Sequence, residues 1–179
     1  EAGTLTIKNA EVRLEPLFEE LRADFDAQAQ DKEIQLRFEL PPKWPALVGD
    51  RDKLTLALHN LVGNALKYTP AGGRVTVKVD IRAEAGKGEM LVVDVEDNGI
   101  GIKPDEHELI FERFYRAKDN RIGSITGSGL GLALARQIAR QHGGDITITS
   151  EIDKGSTFKL TVPMGHSTSA ANAVVRKAA

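Results

Sequence analysis

Paired runs of alternating apolar and polar residues, each pair joined by a glycine-containing turn, constrain the fold of this chain more than any other feature. Residues 75–81 and 91–95 alternate in this way, with Gly86–Gly88 between them. Residues 146–148 and 157–162 form a second pair around another glycine-containing turn. A period of two places successive side chains on opposite faces of a strand, and such turns join antiparallel neighbours. The sequence therefore predicts hairpins rather than strict strand–helix alternation.

Helices accompany these strands. Apolar residues recur every three or four positions in three segments, and Asp50 is the expected N-cap of the longest helix. Mixed helices and hairpins predict an α/β (α+β) two-layer sandwich, in which helices cover one face of a mixed, mostly antiparallel sheet. Helices are predicted at residues 16–30, 51–68 and 130–142. One further strand is predicted at 34–40, and two short strand pieces at 5–7 and 12–14.

Length and charge narrow the classes of function. With 179 residues the chain is expected to form one domain, predicted at residues 1–163, followed by a disordered tail at 164–179. The formal net charge of −2 argues against a nucleic-acid partner. The absence of cysteine excludes thiolate metal sites and a cysteine nucleophile. No apolar run approaches the ~20 residues that cross a bilayer, so the chain itself is not expected to insert into a membrane.

The helix at 51–68 carries an unusual polar face. At 100° per residue, Asn60, Asn64 and Lys67 lie within about 60° of one another, opposite the apolar side. Asparagine is a poor helix former, an amide oxygen suits Mg²⁺, and a lysine can meet a phosphate. Taken alone, these three residues favour a solvated polar face with capping side chains over a ligand site.

A loop follows the second strand of the first hairpin. In Asp97–Ile102, two glycines allow a flat ligand to approach, and a buried carboxylate can accept a hydrogen bond from an amine such as that of adenine. Ile100 and Ile102 supply apolar surface for a base. An Asp-Asn-Gly turn without a ligand explains the same residues.

Two further segments carry weaker signals. Gly127–Leu132 leads into a helix, where glycines and free backbone N–H groups favour an anion. In 110–116, Phe111 and Phe114 are expected on one side of a helical turn, with Arg113 and Arg116 as neighbours one turn apart, either able to reach a phosphate. Aromatic pairs at this spacing are more often core, and arginines are more often solvated. Residues 118–127 show no periodicity and are expected to be mobile.

The order and spacing of these segments resemble the ATP-binding catalytic domain of bacterial sensor histidine kinases. That domain belongs to a superfamily that includes type II topoisomerases, mismatch-repair ATPases and a heat-shock chaperone. Residues 60–69 are similar to the asparagine box, 97–102 to the first glycine box and 111–116 to the phenylalanine box. Residues 127–132 are similar to the second glycine box, and 155–158 to a final strand entry. The resemblance spans about residues 14–163 and implies a Bergerat-type ATP-binding fold.

The resemblance also implies the site and its cofactors, ATP and Mg²⁺. Asn64 would ligate the metal, Asp97 would bind the adenine amine, and 118–127 would be the nucleotide lid. Asn60, Lys67 and Arg116 would act in catalysis, with Arg116 assisting phosphoryl transfer. The full set of implied nucleotide-binding residues is Asn60, Asn64, Lys67, Tyr68, Asp97, Gly99, Gly101, Ile102, Arg116, Gly129, Leu130, Gly131, Leu132 and Thr157.

A phosphoacceptor histidine is not evident in the sequence. Such a histidine is followed by an acid and, five positions on, by a proline, and none of His59, His107, His142 and His166 fits. The resemblance therefore implies a kinase whose acceptor lies on a separate helical dimerisation domain and whose next partner is a response regulator. It implies a cytoplasmic domain of a protein anchored in the bacterial inner membrane. The alternatives are a regulatory nucleotide-binding module with little catalysis, or an anti-sigma-type serine kinase.

Overall fold

The computed structural model describes residues 6–165. Residues 1–5 and 166–179 lie outside this range, and with them Leu5 of the first predicted strand piece and most of the predicted tail. The described elements, in chain order, are β1 (Ala10–Val12), α1 (Leu14–Asp31), β2 (Gln35–Glu39), β3 (Leu47–Gly49), α2 (Arg51–Tyr68), β4 (Arg74–Glu84), β5 (Gly88–Asp97), two 3-10 helices (Pro104–Glu106 and Leu109–Phe111), α3 (Gly131–Gln141), β6 (Asp145–Glu151) and β7 (Gly155–Pro163).

The main sheet has five strands in the order β2-β4-β5-β7-β6. β4 pairs with β5, β5 with β7 and β7 with β6, all antiparallel, while β2 joins β4 in parallel. Both predicted hairpins are therefore present, and the predicted mixed, mostly antiparallel sheet is confirmed. The parallel pair follows from topology, because the whole of α2 lies between β2 and β4 and returns the chain to the same end of the sheet.

The three helices cover one face of this sheet. Val77, Val93 and Leu160 point from adjacent strands into a single core that also contains residues of α1, α2 and α3. The alternate positions point away from it, and there Lys78 forms an ion pair with Glu96 at 2.9 Å. The predicted two-layer sandwich is thus confirmed, since the strand residues that belong to the core lie on the face that the helices cover.

The short elements depart from prediction. The strand piece predicted at 12–14 is wrong: β1 ends at Val12, and Leu14 already begins α1. Thr6 and Ile7 belong to no strand. β3 (Leu47–Gly49) was not anticipated, because three residues carry too little alternation to detect; it pairs antiparallel with β1.

The ordered chain continues beyond the predicted domain end at residue 163. Met164 is buried, its N–H donates to Glu89 O at 2.9 Å, and its carbonyl accepts from Val48 N at 2.8 Å. No helix within residues 6–165 is both long and apolar enough to cross a membrane.

Candidate functional site

Helix α2 separates the core from a cavity of about 340 Å³. Leu58 and Leu61 are fully buried in the core. Asn60, Asn64 and Lys67 line the cavity. The predicted division of α2 into a buried apolar side and a polar side is therefore present. Asp50 is the N-cap of the helix, and its side chain accepts from Lys53 N at 3.2 Å.

The C-terminal end of α2 is held on two sides. The Lys32 ammonium donates to the carbonyl oxygens of Leu66 at 2.6 Å and Lys67 at 2.8 Å. A cation at this position satisfies the last carbonyls and the negative end of the helix dipole. Tyr68 O accepts from Ile100 N at 3.3 Å, which ties the helix to the loop after β5. Lys67 and Tyr68 therefore face the cavity from a fixed turn.

Asp97, the last residue of β5, is the only acid among the cavity-lining residues of the described chain. Its Oδ1 accepts from Gly99 N at 2.9 Å, and the backbone N–H of Ser156 also donates to the carboxylate. Burial outweighs these two hydrogen bonds and raises the pKa of Asp97 to about 6. A ligand that donates to this carboxylate would relieve the unfavourable burial of its charge.

The loop after Asp97 is shaped by close backbone contacts. Gly101 has φ 70°, and a Cβ at this position would overlap the backbone of Glu151. Ile102 N donates to Ser150 Oγ at 2.8 Å, so the loop is fixed against the β6–β7 hairpin. Ile100, Gly101 and Ile102 line the cavity beside Asp97, and the two isoleucines make this part of its surface apolar. Gly99 does not line it and contributes through its hydrogen bond to Asp97.

The segment 110–116 corrects the predicted helical turn. Phe111 is buried, but Phe114 is 73% exposed and has φ 66°, so the two rings do not share one side. The 3-10 helix ends at Phe111, and Glu112 is already extended, so Arg113 and Arg116 are not neighbours on a helix. Phe114 N instead donates to Gly129 O at 2.9 Å, which ties this segment to the second glycine box.

Arg116 lines the cavity and binds the predicted lid. Its guanidinium donates to Ile122 O at 3.1 Å and also to Ile125 O. Residues 118–127 contain neither helix nor strand, and Arg121 pairs with Asp153 at 2.6 Å. Burial raises the pKa of Tyr68, and the charge of nearby Arg116 opposes that rise.

The second glycine box brings the backbone close to both sides of the cavity. Gly129 has φ 72°, and a Cβ there would lie 2.8 Å from the carbonyl carbon of Phe114. A Cβ on Gly131 would lie 2.7 Å from Asn60 Oδ1. Gly131 is also the first residue of α3, whose free backbone N–H groups favour an anion. Lys67 and Arg116 line the same cavity, which therefore offers positive charge as well as the carboxylate of Asp97.

Most residues expected from the resemblance are brought together. Those that line the cavity are Asn60, Asn64, Lys67, Tyr68, Asp97, Gly101, Ile102, Arg116, Gly129, Leu130, Gly131 and Leu132. Thr157, which the resemblance also implies, does not line the cavity, whereas its neighbours Ser156 and Phe158 do, because successive strand residues point to opposite faces. The sequence reasoning missed Ser156 and Phe158, although counting inward-facing positions along β7 from buried Leu160 identifies both.

The described histidines make internal contacts. His59 Nε2 lies 2.9 Å from Asp24 Oδ2, and His107 Nε2 lies 3.0 Å from Ile102 O. His142 Nε2 accepts from Asp50 N at 3.0 Å, while its Nδ1 donates to Ile138 O at 2.8 Å. His166 lies outside the described residues.

Comparisons with known proteins agree with this geometry. A family model described as "Histidine kinase-, DNA gyrase B-, and HSP90-like ATPase" matches residues 49–166. The chain is 45% identical over 139 residues to the aerobic respiration control sensor protein ArcB of Escherichia coli, covering 75% of this chain and 17% of ArcB. It is 38% identical over 146 residues to the sensor histidine kinase WalK of Bacillus subtilis, covering 82% of this chain and 23% of WalK.

Solved structures of histidine kinases are similar to this chain in fold. Full-length ShkA in complex with AMPPNP has a TM-score of 0.78 and 27% identity, over 93% of this chain and 33% of that chain. The catalytic domain of the histidine kinase ThkA has a TM-score of 0.73 and 26% identity, over 88% of this chain and 96% of that chain.

The chain belongs to the family of histidine kinase-, DNA gyrase B- and HSP90-like ATPases. Within that family it is a histidine kinase-type ATP-binding catalytic domain, and the resemblance found in the sequence is confirmed. It spans about a quarter or less of the length of the curated relatives named above.

Proposed function

We propose that this domain binds Mg²⁺–ATP and transfers its γ-phosphoryl group to a histidine on a helical dimerisation domain, for relay to a response-regulator aspartate. The observation that carries the proposal is one cavity lined by a partly buried carboxylate, Asp97, and by two cations, Lys67 and Arg116. The amine of an adenine base needs an acceptor such as the carboxylate, and a polyphosphate needs the two cations.

Adenine recognition is assigned to Asp97 and the loop that follows it. The carboxylate accepts from the adenine amine, while Ile100, Gly101 and Ile102 contact the base. Guanine presents a carbonyl oxygen where adenine presents its amine, so two acceptors would face each other. An unpaired buried polar group costs about 1–3 kcal/mol, which predicts a preference for ATP over GTP of roughly ten- to a hundred-fold.

Asn64 is the proposed protein ligand of Mg²⁺. Its amide oxygen is a hard, neutral ligand of the kind Mg²⁺ accepts. Among residues 6–165 no group of three or more His, Cys, Asp or Glu side chains could hold a metal ion. This donor set fits Mg²⁺ better than a metal that needs a full protein cage, because Mg²⁺ takes phosphate oxygens and waters as most of its ligands.

Phosphoryl transfer depends mainly on positioning and on neutralising charge. Asn60, Lys67 and Arg116 are the residues proposed to orient the phosphates and to stabilise the charge that develops on the transferred group. Tyr68, Gly129, Leu130, Gly131 and Leu132 are proposed to complete the nucleotide site. The domain supplies no acceptor itself in this scheme, so the histidine comes from the helical domain.

The proposal is tested with γ-labelled Mg²⁺–ATP on two proteins. The 179-residue chain is expected to bind nucleotide without becoming labelled. A chain extended upstream to include the helical domain is expected to form an acid-labile phosphohistidine. Stoichiometric acid-labile label on the 179-residue chain alone would contradict the proposal. An extended chain that binds ATP without labelling would favour the regulatory module, and acid-stable label on a serine would favour the serine kinase.

A further inference from the structure

A buried carboxylate outside the predicted boxes holds the beginning of the lid. Glu106 ends the first 3-10 helix, and only 5% of its surface is exposed. Its Oε1 accepts from the Tyr115 hydroxyl at 2.6 Å and from the backbone N–H of Lys118 at 2.7 Å. Acids are seldom buried to this extent without paired donors. The two donors flank Arg116, one residue before it and two residues after it.

The segment that carries Arg116 is held by hydrogen bonds at both of its ends. At its start, Phe114 N donates to Gly129 O at 2.9 Å. At its end, Glu106 holds the backbone of Lys118, where the lid begins. The Arg116 guanidinium projects from between these two anchors and lines the cavity.

The charges favour a strong interaction. Burial acts to raise the pKa of Glu106, but the bonds from Tyr115 and Lys118 and the charges of Lys103 and Lys118 outweigh it and hold that pKa below its usual range. The hydrogen bond between Tyr115 and Glu106 raises the pKa of Tyr115 to about 12. Near neutral pH a protonated phenol therefore donates to an ionised carboxylate, which is stronger than a hydrogen bond between neutral groups.

We propose that Glu106 is a positioning residue for Arg116: by holding Tyr115 and Lys118, it keeps the Arg116 guanidinium at the cavity, where the guanidinium exchanges the lid carbonyls of Ile122 and Ile125 for the nucleotide phosphates. This inference rests on the proposed function, in which Arg116 contacts phosphate. Glu106 does not line the cavity, so its effect on binding is confined to the phosphate end, through Arg116. Its loss weakens binding of ATP and leaves binding of adenosine, which has no phosphate, unchanged.

The first experiment compares Mg²⁺–ATP with adenosine. Glu106→Gln keeps the size of the side chain but removes its charge, and it is expected to weaken ATP binding roughly three- to tenfold with adenosine affinity unchanged. Tyr115→Phe, which deletes one hydroxyl, is expected to act in the same direction and more weakly. Glu112→Gln, which removes an exposed acid from the same segment, is the matched control and is expected to change neither affinity.

The second experiment combines Glu106→Gln with Arg116→Ala in a double-mutant cycle. If Glu106 acts through Arg116, adding Glu106→Gln to Arg116→Ala causes no further loss of ATP affinity. Additive losses, or equal losses for ATP and adenosine, would overturn the inference and leave Glu106 a general structural residue. If Glu106→Gln does not fold, as judged from its thermal melt, Tyr115→Phe decides by the same ATP-to-adenosine ratio. An unmutated chain that binds ATP no better than adenosine would overturn the proposed function and this inference with it, whereas an Arg116→Ala chain that binds ATP normally would overturn the inference alone.

Discussion

Replacing Asp97 by asparagine is expected to stabilise the nucleotide-free chain while weakening its binding of ATP. Burial raises the pKa of Asp97 from 3.8 to about 6. A shift of roughly two units corresponds to about 3 kcal/mol of unfavourable free energy for keeping the carboxylate ionised in the folded chain. Asp97 retains some solvent contact, so a gain of about 1–3 kcal/mol is expected for Asp97→Asn near pH 7, or roughly 3–10 °C in melting temperature.

The sign of the pH dependence follows from the direction of that shift. Because the pKa of Asp97 is higher in the folded than in the unfolded chain, the stability this group contributes is fully present below about pH 4 and is lost as the pH rises through about 6. The stability difference between Asp97→Asn and the unmutated chain should therefore be small near pH 4, grow between pH 4 and 6, and level off above pH 7. The amide oxygen of asparagine still accepts from Gly99 N, so the loop keeps its hydrogen bond.

Thermal melts of both proteins from pH 4 to pH 8 measure this difference. Asp26→Asn removes an exposed acid from α1 and serves as the control that should show no such trend. A melting temperature that falls equally at every pH in Asp97→Asn would refute the reasoning. It would mean that Asp97 acts chiefly as a turn residue whose carboxylate holds the loop together.

Two further predictions concern the metal ligand and the packing behind the site. Asn64→Ala should remove the Mg²⁺ dependence of ATP binding while the fold survives, since Asn64 lies opposite the buried face of α2. Calorimetric titration of ATP with and without Mg²⁺ checks this. An unchanged Mg²⁺ dependence would exclude Asn64 as a metal ligand. Gly49→Ala should lower stability by about 1–3 kcal/mol, because the new Cβ would lie 2.8 Å from Leu47 Cδ2 and 2.9 Å from the His142 ring. Chemical denaturation measures the loss, and an undiminished unfolding free energy would show that the His142 ring moves aside freely.

The sequence predicts the sheet and the long helices well because their patterns repeat over many residues. The alternation in β4 and the N-cap at Asp50 are local properties, and both are present in the structure. β3 is missed because its three residues are specified by pairing with β1, which is distant in sequence. Alternation predicts a strand only where enough residues share it.

The cavity is predicted less completely, because its shape depends on contacts between distant segments. Phe114 was expected beside Phe111, yet its backbone is held in a left-handed conformation by the bond to Gly129. The resemblance implies Thr157, but Ser156 is the residue that lines the cavity: a resemblance identifies a segment, whereas the orientation of each strand residue decides which one faces the cavity. Glu106 carried no sequence signal at all, since its partners become apparent only when the chain folds back on itself.

The central claim, that this cavity binds adenine through Asp97, is tested most directly by the affinities of the chain for ATP and GTP in Mg²⁺. Isothermal titration is expected to show ATP binding roughly ten- to a hundred-fold more tightly than GTP. In Asp97→Asn the added donor is expected to weaken ATP binding and to reduce this preference. Equal affinities of the unmutated chain for ATP and GTP would contradict the assignment of Asp97 to adenine.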